Sequence, residues 1–220
     1  MSGSRPRVVL LGGGGHARVL LDCLLLCGGT EIVGMLEADS SRVGAVVYGV
    51  SVLGNDDLLA ELVGRGATHF IVGIGSVGDN GARRRLFKMG LAQGLRPLLV
   101  RHPSAIVSPR AQVGEGCQLL PGCIVNAGAV LGQNVLVNTA AIVEHDCVVA
   151  DHVHLATGSR LASTVRVEEG AHLGAGAVVR QSVKIGARAI VGAGAVVVRD
   201  VPGGAVVVGV PARPLGGLGR

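Results

Sequence analysis

Glu144, His145 and Asp146 place an imidazole between two carboxylates, in a stretch whose other corner positions are mostly Gly, Ala, Asn or Ser. A carboxylate beside a histidine selects which ring nitrogen carries the proton. It also stabilises the imidazolium formed when the other nitrogen accepts one. That is general-base chemistry, the withdrawal of a proton from a nucleophile. Asn138, seven residues earlier, offers a neutral hydrogen bond near the preceding corner. His152 and His154 follow, and His172 comes eighteen residues after His154. Two histidines at that spacing should stack, but they fall short of the ligand count of a zinc site, so no metal is expected. A polar corner is also ordinary solvated surface, and the residues alone leave that alternative open.

These residues lie in a stretch, 105–200, that repeats every six residues without a break. The third position of every hexad is aliphatic, as at Val107, Val137, Val143, Leu155 and Val197, and the first is mostly small or β-branched. Side chains on a strand alternate with period two, and a turn must follow before the next strand starts. A six-residue period is therefore a short strand plus a corner, and three hexads close one triangular coil. Each coil buries its aliphatic residues on the coil below, so the stack forms a parallel β-helix.

Ahead of it, residues 7–11 (RVVLL) read as a buried strand, followed by four glycines, His16 and an apolar helical pattern. Gly12, Gly14 and Ala17 fit the spacing that lets backbone approach a phosphate at a helix N-terminus. Residues 31–36 form a second strand ending at Glu37, with Asp39 beyond it, where such folds place an acidic group. Helix is expected over 55–64 and 79–90, and strand over 69–74, ending at Gly75-Ser76, and over 96–100. The expectation is an α/β, Rossmann-like nucleotide-binding domain over 1–103 and a β-helix domain with a C-terminal cap over 104–220. The tail 215–220 is Gly-rich and expected to fray.

Composition agrees. Hydrophobic residues make up 49% of the chain but aromatics only 1%, so the core must be built from small and branched aliphatics. A net charge of +5 admits an anionic ligand, yet no basic cluster with interleaved aromatics appears, so nucleic acid is not expected. The basic run Arg83-Arg84-Arg85 is expected on a solvated helix face. The five cysteines are an odd number without paired spacing, so all are expected to be packed, reduced thiols in a cytoplasmic protein. Neither a signal peptide nor a membrane span is expected.

Three segments in this order resemble one family: GGGGHARV at 12–19, Asn138-Thr139 through His145-Asp146-Cys147, and GVPA at 209–212. The chain is similar to bacterial sugar acyltransferases of the left-handed hexapeptide-repeat group, which acetylate a nucleotide-linked amino sugar. The resemblance implies the left hand of the helix, acetyl-CoA as co-substrate and a homotrimer with each site at a subunit boundary. It implies His145 as the base, oriented by Asp146, with Asn138 nearby. His154, Ser163, Ala175 and Ala193 are implied for acetyl-CoA, and Gly14, Gly15, His16, Glu37 and Gly75 for the nucleotide sugar. Some relatives carry paired acids after the second strand, whereas Ala38 follows Glu37 here, so the nucleotide base stays open. Two alternatives remain: O-acetylation of a free sugar such as sialic acid, or of serine, and a β-helix that binds without catalysing.

Overall fold

The computed structural model describes residues 5–215, so the expectation of a frayed end falls largely outside the described residues. The chain divides into two compact units, one of residues up to 75 together with 85–103, the other of 76–84 together with 104 onward.

The first unit is built on a sheet with strand order β3-β4-β2-β1-β5-β6. Its strands are β1 (Arg7–Leu11), β2 (Glu31–Leu36), β3 (Val46–Val47), β4 (Val50–Gly54), β5 (His69–Val72) and β6 (Arg96–Pro97). All neighbours are parallel except β3 and β4. Val8 to Leu11 are wholly buried, as an apolar run on a central parallel strand must be. Helix α1 (Gly15–Cys27) buries Ala17, Leu20, Leu21, Cys23 and Leu24 at helical spacing. The short α2 (Leu59–Gly64) buries Leu59 and Leu62. From Arg85 onward, α3 (Gly81–Ala92) also packs in this unit, where Phe87 meets Phe70 edge-on with ring centroids 5.5 Å apart. The expected strand over 96–100 is split in two, with Pro97 on an edge strand where its missing N–H would point away from β5, and Leu98 N–H still donating to the Phe70 carbonyl at 2.9 Å. Its second piece is β7 (Val100–Arg101). Cys27, expected to be packed, is exposed, and its Sγ donates to the Arg101 carbonyl at 3.3 Å.

In the second unit every hexad of 105–200 supplies a two-residue strand at its second and third positions, from Ile106–Val107 to Val196–Val197. The strands form three parallel faces, and register advances by one coil: Leu136 lies beside His154, and His154 beside His172. This is a left-handed parallel β-helix, the architecture expected. Its core is a continuous column of small and branched side chains, among them Val137, Val143, Leu155 and Leu173. In every hexad but the first and the last, the sixth position is held in the left-handed backbone region, by glycine at Gly116, Gly128 and Gly176 but by Asp146 at φ 60° and His152 at φ 61°. After the last hexad, Val206–Val208 pairs parallel with Ile190–Val191 and antiparallel with Arg213–Pro214.

The segment Ser76–Arg84 belongs with the coils. Arg84 and Arg85 are exposed as expected, but Arg83 is not solvated: its exposure is 0%. Its Nη2 donates to Asn134 Oδ1 at 3.1 Å, and Asn134 Nδ2 in turn lies 3.0 Å from His152 Nδ1. Burial pulls the guanidinium pKa down to about 10. We expect Arg83→Ala to lower unfolding free energy by about 3 kcal/mol, through the void and the stranded Asn134 carbonyl. Arg83→Met, which refills the volume, should cost only about 1 kcal/mol; denaturant melts of the two variants compare them. Among the described residues no helix is long and apolar enough to cross a membrane.

Candidate active site

His145 and Asp146 are the two turn residues of one coil corner, and both side chains are more than half exposed. The left-handed φ of Asp146 accompanies a carboxylate turned back onto its neighbour, with Oδ2 2.8 Å from His145 Nδ1. Aspartate tolerates that backbone region better than most residues. With Nδ1–H donated to the carboxylate, Nε2 is the nitrogen that offers a lone pair to a ligand. Glu144, on the other side, is engaged elsewhere: its Oε2 accepts from Asn126 Nδ2 at 2.9 Å.

The coil above continues this edge. Thr164 donates its backbone N–H to the His145 carbonyl, and Ser163 is the residue stacked over His145. Ala175 and Ala193 occupy successive coils of a different edge, joined by the bond from Gly194 N–H to the Ala175 carbonyl at 2.8 Å. Both alanines are exposed, as contacts made by backbone would require.

Asn138 is placed with His154, its Nδ2 3.3 Å from Nε2 and its Oδ1 accepting from Thr139 N–H at 2.8 Å. His154 itself is only 4% exposed and packs edge-to-face on His172, with ring centroids 4.8 Å apart. The other face of the His154 network is formed by Ser76 and Asn80, which periodicity gave no reason to single out.

His172 is 5% exposed, its Nδ1 is buried without a hydrogen-bond partner, and burial holds its pKa below the ordinary histidine value. Below about pH 6.5 the unfolded chain therefore takes up a proton that the folded chain refuses. The stability tied to a neutral His172 is full above that pH and is lost as pH falls toward the folded-state pKa. Denaturant melts from about pH 7 to about pH 5 should show a flatter acid limb in His172→Gln than in wild type.

In the N-terminal unit the Gly-rich turn runs straight into α1, with Gly14 as its N-cap. A Cβ at Gly14 or Gly15 would meet nothing within 4 Å, so there is open space beside the first turn of α1, whose amides have no carbonyl within the helix to bond. Gly12 and Gly73 are the reverse: a Cβ on Gly73 would strike the Gly12 carbonyl oxygen. Glu37 closes the turn, its Oε2 accepting from Gly13 N–H at 3.0 Å and lying 3.5 Å from Arg42 Nη1. Arg42 was invisible to motif spacing, since it sits in a short 3-10 turn after Asp39. Asp39 caps that turn, and its hydrogen bonds from Ser41 hold its carboxyl below the usual range. Gly75 lies beside His16, where a Cβ would come within 3.7 Å of the histidine Cβ. Among the described residues, no group of three or more His, Cys, Asp or Glu is placed to hold a metal.

A nucleotide-type α/β unit on the same chain as a hexapeptide β-helix with an exposed His–Asp corner defines a hexapeptide-repeat acyltransferase. The PglD N-terminal domain model matches residues 7–89, and the bacterial transferase hexapeptide (six repeats) model matches residues 164–199. The chain belongs to the hexapeptide-repeat family of nucleotide-sugar N-acetyltransferases. It is 40% identical to a histidine-to-asparagine mutant of perosamine N-acetyltransferase from Caulobacter crescentus in complex with CoA and GDP-perosamine; 99% of each chain is covered, with a TM-score of 0.90. The acetyltransferase domain of PglB from Neisseria gonorrhoeae FA1090, in complex with acetyl coenzyme A, is 35% identical over 97% of this chain and 100% of that one, TM-score 0.86. WeeI from Acinetobacter baumannii AYE is 27% identical over 95% of this chain and 99% of that one, TM-score 0.84. None of the curated proteins matches it in sequence.

Proposed function

We propose that this chain transfers the acetyl group of acetyl-CoA to the amine of a nucleotide-linked amino sugar, with His145 as general base. The observation that carries the catalytic assignment is the 2.8 Å bond between His145 Nδ1 and Asp146 Oδ2 on an exposed corner. It leaves Nε2 as acceptor and supplies a carboxylate to balance the imidazolium. The sugar nitrogen attacks the thioester carbonyl, and Nε2 takes the proton the nitrogen sheds. Collapse of the tetrahedral oxyanion then breaks the carbon–sulfur bond, and the leaving thiolate is protonated to give CoA and an acetamido sugar. A free amine is nucleophilic enough that no acyl-enzyme is needed, so the protein's contribution is alignment and stabilisation of the oxyanion.

Binding divides between the units. Gly14, Gly15, His16, Glu37 and Gly75 hold the nucleotide sugar, with phosphate at the first-turn amides of α1. His154, Ser163, Ala175 and Ala193 serve acetyl-CoA, with Asn138 as a neutral donor. Three chains assemble with each site at a boundary, which a sedimentation mass of three chains would support. The reaction belongs in the cytoplasm, where free thiols such as the five described here persist.

The test is acetyl-CoA-dependent thiol release with UDP-, GDP- and dTDP-linked amino sugars, beside free sugars and serine. Turnover confined to one nucleotide-linked amine is the expected result and names the base recognised. Turnover with a free hydroxyl acceptor instead would overturn the N-acetyl assignment.

A further inference from the structure

Ser76, Asn80, His154 and Asn138 form one hydrogen-bonded chain whose polarity can be read from its ends. Asn80 is 3% exposed, and its Nδ2 donates to the carbonyls of Gly170 at 3.0 Å and Ala171 at 2.9 Å. Only the NH₂ end of an amide can donate to two carbonyls, so Asn80 Oδ1 is the atom facing Ser76. That oxygen accepts the single hydroxyl hydrogen of Ser76. Ser76 Oγ is left to act as acceptor toward His154 Nδ1, 2.9 Å away, so Nδ1 carries a proton. At the other end, Asn138 Oδ1 accepts from the Thr139 amide, which points its NH₂ at His154 Nε2. A proton on Nε2 would face the hydrogens of that amide, so Nε2 is the unprotonated nitrogen.

We propose that Ser76 and Asn80 are positioning residues that hold His154 as the neutral Nδ1–H tautomer, and through it fix which way the Asn138 amide points. Neither residue touches reacting atoms. The chain ends on Asn138, which has one amide hydrogen beyond the one aimed at His154 and so presents a donor of fixed direction. His172 packs edge-to-face on the His154 ring, with the two ring planes 77° apart. The assignment of the tautomer stands on this geometry alone. Its effect on turnover rests on the acetyl-CoA reading above.

The experiment is long-range ¹H–¹⁵N correlation of the full-length protein with labelled histidine, His154 being assigned by its loss in His154→Gln. The expected wild-type spectrum shows His154 protonated at Nδ1 and unprotonated at Nε2. Ser76→Ala should convert it to Nε2–H or to an exchanging mixture, and Ser76→Thr, which restores the hydroxyl, should return the wild-type pattern. In the same variants KM for acetyl-CoA should rise about tenfold in Ser76→Ala, the loss of one buried hydrogen bond, and recover in Ser76→Thr. KM for the sugar should stay unchanged, which a general loosening of the fold would not allow. An Nε2–H or doubly protonated His154 in the wild type would overturn the proposal, whether or not the alanine variant folds. So would an unaltered Nδ1–H signal in folded Ser76→Ala. The expected spectra without turnover of any nucleotide sugar would support the chain of hydrogen bonds and retire the acetyl-transfer reading instead.

Discussion

His145→Asn is expected to lower kcat by roughly 10²–10⁴-fold, the ordinary contribution of a positioned base. Asparagine has no lone pair of comparable basicity, so the proton on the attacking amine must leave to water. The fold should be untouched, because the side chain stands on an exposed corner whose turn is held by backbone bonds such as Thr164 N–H to the His145 carbonyl. Binding of acetyl-CoA, measured by calorimetry, should remain within a few-fold of wild type. Asp146→Asn is the companion variant. Asparagine accepts the left-handed backbone at this position as readily as aspartate, so the change removes charge without adding strain. It should produce a smaller loss, since the base survives but its tautomer and its imidazolium lose their partner. Activity of His145→Asn near wild type would remove the base assignment outright.

Gly73→Ala is expected to be the most damaging single methyl in the N-terminal unit. The new Cβ would be driven into the Gly12 carbonyl oxygen, and the positions of both atoms are fixed by the backbone, so no rotamer change relieves the clash. Gly12 cannot move freely either: its amide donates to the Leu36 carbonyl at 2.7 Å. Separating β1 from β5 at this point should cost about 3 kcal/mol or more, and displace the first-turn amides that follow. Thermal melting would show a drop on the order of 6–12 °C, together with weaker nucleotide-sugar binding. Gly14→Ala is the contrast. Its Cβ meets nothing within 4 Å and its φ of −77° suits alanine, so stability should hold. If phosphate lies against that amide, only affinity should fall. Equal melting temperatures for Gly73→Ala and wild type would contradict this account of the turn.

The β-helix was legible because its physics is local and repeated. An aliphatic residue at each third position and a small or glycine residue near each corner state the same geometry again and again. The turn residues His145 and Asp146 were legible for the same reason, as a departure from a pattern that could be counted. The hairpin of β3 and β4 escaped, although Tyr48 and Gly49, both at positive φ, form a two-residue turn between short apolar runs. Arg83 escaped for a different cause. Its partner Asn134 is 51 positions away, and nothing in a run of three arginines says which one is sequestered. Ser76 and Asn80 are likewise ordinary loop residues until the coils that receive them are folded. Roles that depend on one segment docking on a distant one leave no periodic trace.

The regular advance of one coil per eighteen residues makes the length of this protein a counted quantity. A whole coil inserted after the Ser182 corner would leave every inward residue below it facing inward and lengthen the column by one step. A single inserted residue cannot be passed along the column without turning aliphatic side chains outward, so it must be taken up where it falls, as a bulge or a longer corner. The column itself therefore lengthens only in whole rungs, while smaller insertions between 105 and 200 are confined to its corners.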